Sequence, residues 1–219
     1  MPSTSEPSRP IDAYGPLIQS LHHQPLLVVL RAERPLDLRE RLARLEGLGV
    51  RQVEIAWSGH PQWSAQCAWL RMAFPRLNLG AASVVGRDAL EAAAAAGLAY
   101  AVSPVLDEDL LSQARQCGLA LVPGVMSPSD VHRARQLGCP VVKLFPAITV
   151  GSGYWRRLRD PLGPLPVCVA AGGLAVPDVM PWLEAGVDAV ALGGRLDAPD
   201  AWSALGDLIG RLADLPRRC

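Results

Sequence analysis

One lysine stands among twenty arginines: Lys143 is the chain's single amine-bearing side chain. It lies in PVVKLFP, an apolar run where a charged group would be costly to bury. A guanidinium stays protonated and cannot form an imine, whereas a lysine amine adds to a ketone carbonyl. Lys143 is therefore read as a Schiff-base nucleophile, with a snorkelling or ion-paired lysine as the plain alternative. At the reference pKa near 10.4 only about a few amines in ten thousand are neutral at pH 7, so desolvation has to lower that value before the amine can react.

Imine chemistry needs a proton shuttle when a carbinolamine dehydrates and when an enamine forms. Glu54, in RQVEIAW, is the candidate. By strand alternation it points away from Val53 and Ile55; the competing reading is a buried ion pair with an arginine, and Lys143 is itself a candidate counter-charge.

The remaining candidates lie where apolar runs end. Arg31 closes LLVVLR and can clamp a carboxylate as a bidentate fork, or simply form a rim salt bridge. Ser83 can hydrogen-bond a substrate oxygen. The runs ending AAGG and LGGR place Gly172, Gly173, Gly193, Gly194 and Arg195 where bare backbone and a following helix N-terminus suit an anion such as phosphate, turn punctuation being the alternative. His22, His23, His60 and His132 read as solvent-facing, and Trp57, Trp63 and Trp69 as packing or subunit contact. Five widely spaced cysteines without a CxxC pair read as reduced thiols. Neither a metal nor another cofactor is expected.

These residues require a frame. Apolar runs begin at Leu26, Arg51, Leu77, Ala99, Leu119, Pro140, Pro166 and Val187, eight in all, with helically periodic stretches between them. The preceding stretches close on Gly49, Gly97, Gly118, Gly138 and Gly186. Continuous apolar strands, each followed by a helix, predict a parallel sheet covered by helices, and eight units predict a single-domain α/β fold, a (β/α)8 TIM barrel. A doubly wound sheet is disfavoured because no GxGxxG turn follows an early strand. Residues 1–15 read as a polar, flexible tail, residues 16–219 as the barrel, and the stretch around 11–24 as a helix able to plug its lower mouth.

At 219 residues, half of them hydrophobic and 19% charged, the chain is neither disordered nor membrane-spanning. Net charge is zero and the arginines are scattered among acids, which removes a nucleic-acid footprint and leaves a small-molecule ligand. The N-terminus has no signal-peptide pattern, so the expected location is cytoplasmic.

Taken together, these motifs resemble the 2-keto-3-deoxy-6-phosphogluconate / 4-hydroxy-2-oxoglutarate aldolase family over roughly residues 25–196. KLFPA is similar to that family's K-F-F-P-A around its Schiff-base lysine, and VEIA to L-E-V-T, whose glutamate is the proton shuttle. Ser83, in GAASV, falls at the threonine of G-A-G-T-V. Ser103-Pro104 match S-P, Pro123-Gly124 match P-G, and both GG pairs match phosphate-binding turns. The resemblance implies a metal-free class I aldolase assembled as a homotrimer, cleaving a 2-keto-4-hydroxy acid to pyruvate and an aldehyde. It adds Pro104 and Phe145 to the substrate contacts.

Three motifs depart from the family. Its L-R-T is Trp57-Ser58-Gly59, its P-T-G-G is Ala170-Ala171-Gly172-Gly173, and its S-P-G is Ser103-Pro104-Val105. The lysine machinery is kept while carboxylate contacts change, which points to a retained reaction type with an altered substrate preference. Two alternatives share the scaffold: a Schiff-base decarboxylase of oxaloacetate-like acids, and a catalytically silent barrel that binds a phosphate ligand.

Overall fold

The computed structural model describes residues 13–198 and 200–215, so most of the tail expected over residues 1–15 lies outside the described residues. The strands are β1 (Leu26–Leu30), β2 (Gln52–Ala56), β3 (Asn78–Ala82), β4 (Tyr100–Val102), β5 (Ala120–Val122), β6 (Gly124–Val125), β7 (Val141–Leu144), β8 (Val167–Ala171) and β9 (Ala189–Leu192). All pair in parallel, in the order β5-β4-β3-β2-β1-β9-β8-β7-β6. The two ends of that order, β5 and β6, are halves of one apolar run parted at Pro123. The eight expected runs therefore become nine strands of a nearly closed barrel. Proline has no N–H for the ladder, yet its carbonyl accepts from the Lys143 N–H at 2.8 Å, so the pairing continues across the break.

The helices are α1 (Gly15–His23), α2 (Arg39–Gly47), α3 (Trp63–Ala73), α4 (Arg87–Ala95), α5 (Glu108–Gln116), α6 (Pro128–Gln136), the short α7 (Tyr154–Arg157) and α8 (Arg159–Leu162), α9 (Val179–Glu184) and α10 (Ala201–Ala213). Five helix-to-strand joints share one device. Gly49, Gly97, Gly118, Gly138 and Gly186 take φ values of 85°, 67°, 67°, 72° and 106°, the left-handed region where a Cβ is penalised. The next residue's N–H then bonds the carbonyl five positions back, as Val50 does to Leu45 at 3.0 Å and Leu98 to Ala93 at 3.1 Å. Helix stop and strand start are thus one local structure, repeated around the barrel. Among the described residues no helix is long and apolar enough to cross a membrane.

Alternation along each strand divides the core into two layers. Val28, Val53, Ile55, Val142 and Leu192 face the helices. Leu27, Tyr100, Val102, Val141 and Val169 face the barrel interior. The helix α1 closes the lower mouth, with Leu17 and Leu21 packed into that interior layer. Polar groups at the strand starts hold it there: Gln52 Nε2 donates to Ser20 Oγ, and Asn78 Nδ2 donates to Gln52 Oε1 at 2.8 Å. Gln24 completes the rim, donating to the Gly49 carbonyl at 2.9 Å and accepting from the Arg51 N–H at 2.8 Å.

Candidate active site

Lys143 is the third residue of β7 and Glu54 the third of β2, on opposite sides of the barrel order. Both point inward, as alternation requires when Val142 and Leu144, and likewise Val53 and Ile55, pack outward. They are 9% and 2% exposed. They line one small interior cavity with Leu17, Leu21, Tyr100 and Val169. Its free volume, about 10 Å³, is near the minimum for one water.

Electrostatics follow from that burial. Desolvation pushes the Glu54 carboxyl up to about 7, against the lowering pull of the Lys143 and Arg31 cations. Desolvation likewise drives Lys143 below the usual lysine value, opposed by Glu54 and assisted by Arg31. The ion pairs among the described residues all involve arginines, and none includes Lys143 or Glu54. The amine instead sits 4.5 Å from the centroid of the Phe145 ring. An amine and an acid are therefore held facing each other in an apolar cylinder without neutralising one another in a salt bridge. Such a pair can attack a carbonyl and relay the protons that attack releases.

The upper mouth carries the next group. Arg31 follows β1 and Ser83 follows β3, and Arg31 Nη1 donates to Ser83 Oγ at 2.9 Å. Ser83 is the non-glycine residue with positive φ, 61°, among the described residues. Strained backbone of this kind concentrates at functional sites. The remaining guanidinium donors of Arg31, which is exposed, are free to meet an anion above the cavity.

The glycine pairs divide. Gly172 and Gly173 have φ values of 98° and 83°. A Cβ on Gly172 would lie 2.9 Å from the Phe145 ring, and one on Gly173 2.6 Å from Ile148. Packing against the β7 loop thus accounts for both, alongside any anion role. Gly194 has open space where a Cβ would be, at the start of the 3-10 turn Gly194–Asp197, and Arg195 is exposed beside it. Pro104 is half-buried, and its carbonyl would lie 2.2 Å from a Cβ on Gly124, so it shapes the loop by close backbone approach.

Other side chains serve the fold. Trp63 is buried, donates to the Ala56 carbonyl at 3.1 Å, and meets Trp57 edge-on at 5.1 Å. Ser58, where the resemblance wants arginine, donates to the Glu33 carbonyl at 2.6 Å. His60 Nδ1 accepts from the Gln62 N–H at 3.1 Å, a turn contact. Among the described residues no group of three His, Cys, Asp or Glu is placed to hold a metal.

Two features of the site escape sequence reasoning. The α1 leucines line the cavity that Glu54 and Lys143 share, and Tyr100 reaches into it from β4. The available signal for the tyrosine is Gly80, which neighbours it in register on β3 and has no side chain to block the ring.

With this geometry in view, comparisons with known proteins converge. A profile of the KDPG and KHG aldolase family matches residues 17–207. The 2-dehydro-3-deoxy-6-phosphogalactonate aldolase of Escherichia coli (strain K12) is 25% identical over 173 residues, covering 78% of this chain and 84% of that protein. The 2-dehydro-3-deoxy-phosphogluconate aldolase of Pseudoalteromonas atlantica is 27% identical over 202 residues, covering 91% and 88%. Among solved structures, a 4-hydroxy-2-oxoglutarate / 2-dehydro-3-deoxyphosphogluconate aldolase from TTHB1 superposes with a TM-score of 0.73 at 29% identity, covering 90% of this chain and 96% of that one.

Proposed function

The chain belongs to the KDPG and KHG aldolase family, whose named members are lyases, and from that premise we propose that it cleaves a 2-keto-4-hydroxy acid to pyruvate and an aldehyde through a Schiff base on Lys143. The observation that carries this reading is the chain's one lysine, buried in the barrel interior across from a carboxyl raised to about 7.

The steps follow from the residues. Lys143 Nζ, its proton affinity lowered by burial, adds to the C2 ketone. Glu54 takes up and returns the protons that move as the carbinolamine loses water. The iminium then withdraws electrons from the C3–C4 bond while the Glu54 carboxylate takes the proton of the C4 hydroxyl. An aldehyde leaves, and Glu54 protonates C3 of the remaining enamine before water releases pyruvate. Arg31, which donates to Ser83, is assigned the keto-acid carboxylate in lieu of the missing L-R-T arginine. Phe145 and Pro104 bound the reacting end. Gly172, Gly173, Gly193, Gly194 and Arg195 are assigned to a distal phosphate or second carboxylate. No metal or cofactor enters these steps.

Borohydride reduction in the presence of pyruvate, followed by peptide mass mapping, tests the reading. The expected result is a stable adduct on Lys143 that Lys143→Arg abolishes; an unmodified wild-type protein at saturating pyruvate would overturn it. We further infer a cytoplasmic homotrimer. Exposed Trp69 and Met72 on α3 supply an apolar face for subunit contact, and a monomer in sedimentation would refute the assembly.

A further inference from the structure

Tyr100 is fully buried, and its hydroxyl has no hydrogen-bond partner. Buried hydroxyls are nearly always bonded, because leaving one bare forfeits its hydration. Phenylalanine would fill the same space without that cost, so packing alone does not account for the oxygen.

The strand register shows where the oxygen points. Glu54 on β2 is paired with Gly80 on β3, and the β3–β4 pairing of Ala81 with Ala101 brings Gly80 beside Tyr100. A Cβ on Gly80 would lie 2.6 Å from both Cε2 and Cζ of the tyrosine ring. The outer half of that ring therefore lies across the bare glycine and carries the hydroxyl from β4 toward β2. Tyr100, Glu54 and Lys143 all line the same cavity, which has room for about one water. The charged or titratable groups facing Glu54 there are Lys143, Arg31 and Tyr100. The other elements around it are apolar: α1 presents Leu17 and Leu21, β8 Val169 and Ala171, and β9 Ala191.

We propose that Tyr100 is a positioning residue for Glu54: its hydroxyl donates to one water in their shared cavity, which in turn donates to the Glu54 carboxylate, and this bridge fixes the orientation in which that carboxyl exchanges protons. A donor to the charged form stabilises that form, so the phenol offsets part of the desolvation that drives Glu54 upward. Burial first, and then the repulsion between a phenolate and Glu54, keeps the phenol neutral, as a donor must be.

The inference rests on the aldolase reading, and pyruvate alone reports on it. With pyruvate held as the Lys143 iminium, the Glu54 carboxylate removes a proton from the C3 methyl, giving the enamine and a carboxylic acid. In D2O the reverse transfer delivers a deuteron, so methyl exchange measures Glu54. Tyr100→Phe is expected to leave the end-point extent of borohydride trapping at saturating pyruvate within about twofold of wild type, because given time the Lys143 imine forms even when its proton shuttle is slowed, while slowing exchange about tenfold, the loss of one hydrogen bond to a charged group. The acid limb of the exchange profile is expected to move up by about half to one pH unit.

Superimposable profiles for wild type and Tyr100→Phe would overturn the inference while leaving the aldolase reading intact. Should the wild type neither trap nor exchange pyruvate, the aldolase reading fails first. The pairing is then read without turnover, from the infrared carbonyl band of protonated Glu54, assigned by its disappearance in Glu54→Gln. A titration midpoint that rises in Tyr100→Phe supports the contact, and an unmoved midpoint overturns it.

Discussion

The barrel holds two sets of buried polar side chains, one at its lower mouth and one half-way up, and they are treated in opposite ways. At the lower mouth Gln52 is fully buried yet donates to Ser20 and accepts from Asn78, while Gln24 bonds the backbone on both sides of the α2–β2 joint. One layer up, Glu54 and Lys143 share no ion pair, and the Tyr100 hydroxyl is unpartnered. A satisfied polar cluster locks geometry. An unsatisfied one holds groups in protonation states that water would not allow, and that is the signature of chemistry. The helix α1 serves both regions: Ser20 bonds the lower ring, while Leu17 and Leu21 line the cavity beside Glu54 and Lys143.

Removing the acid tests the upper layer hardest. Glu54→Gln is expected to lower kcat by about 10²–10⁴-fold, the usual worth of a general acid–base group. The same change is expected to stabilise the fold at high pH. The folded value of about 7 lies above the ordinary 4.5. The contribution of Glu54 to stability is therefore fully present below 4.5 and declines as pH rises through 7. At pH 8 the variant should resist denaturant better than wild type by about 1–3 kcal/mol, with the two alike near pH 4.5. Equal stability at both pH values would mean the carboxyl is solvated, and the contrast between the layers would collapse.

How much of this was legible in sequence depended on whether a residue's role was local. Lys143 stood out because arginine fills every other cationic position, and Glu54 because alternation in RQVEIAW fixes its direction. The five glycine joints were equally plain, since left-handed backbone is a local demand. Tyr100 was not, because its reach toward β2 depends on which residue of β3 lies beside it and on that residue lacking a side chain. The left-handed Ser83 also gave no sign, as serine has no preference that marks φ of 61°. The plug helix was expected around residues 11–24, but its bond to Gln52, and that of Gln52 to Asn78, are long-range contacts between polar residues that look unremarkable in isolation.

Breaking the lower ring should have the reverse outcome to breaking the reactive layer. Gln52→Leu removes one member and leaves Ser20 and Asn78 facing an apolar neighbour. The expected cost is about 0.5–1.5 kcal/mol of stability, the worth of hydrogen bonds lost between half-buried groups, measured by denaturant unfolding. The pH dependence of pyruvate exchange by the folded protein should not move, because Gln52 is no part of the cavity that Glu54 and Lys143 line. A shifted profile would show that the two layers are coupled rather than separate.

The smallest effect belongs to a charge that lies in neither region. Arg133 on α6 grips Glu108 on α5 with both Nε and Nη2 at 2.7 Å, the best bidentate geometry among the described ion pairs. Its side chains are 47% and 52% exposed, so water screens the pair and solvates either partner when the other is removed. Arg133 holds the Glu108 carboxyl below its ordinary value, chiefly through those hydrogen bonds, yet the energy available in solvent is small. Glu108→Gln should leave the denaturant midpoint where it is in wild type, at low and at high salt, and leave pyruvate exchange unaltered. Better hydrogen bonds than any in the reactive layer would thus contribute almost nothing, because burial, rather than the quality of a contact, separates the groups that react from the groups that decorate. A clear drop in the denaturant midpoint on removing this solvated pair would contradict that distinction.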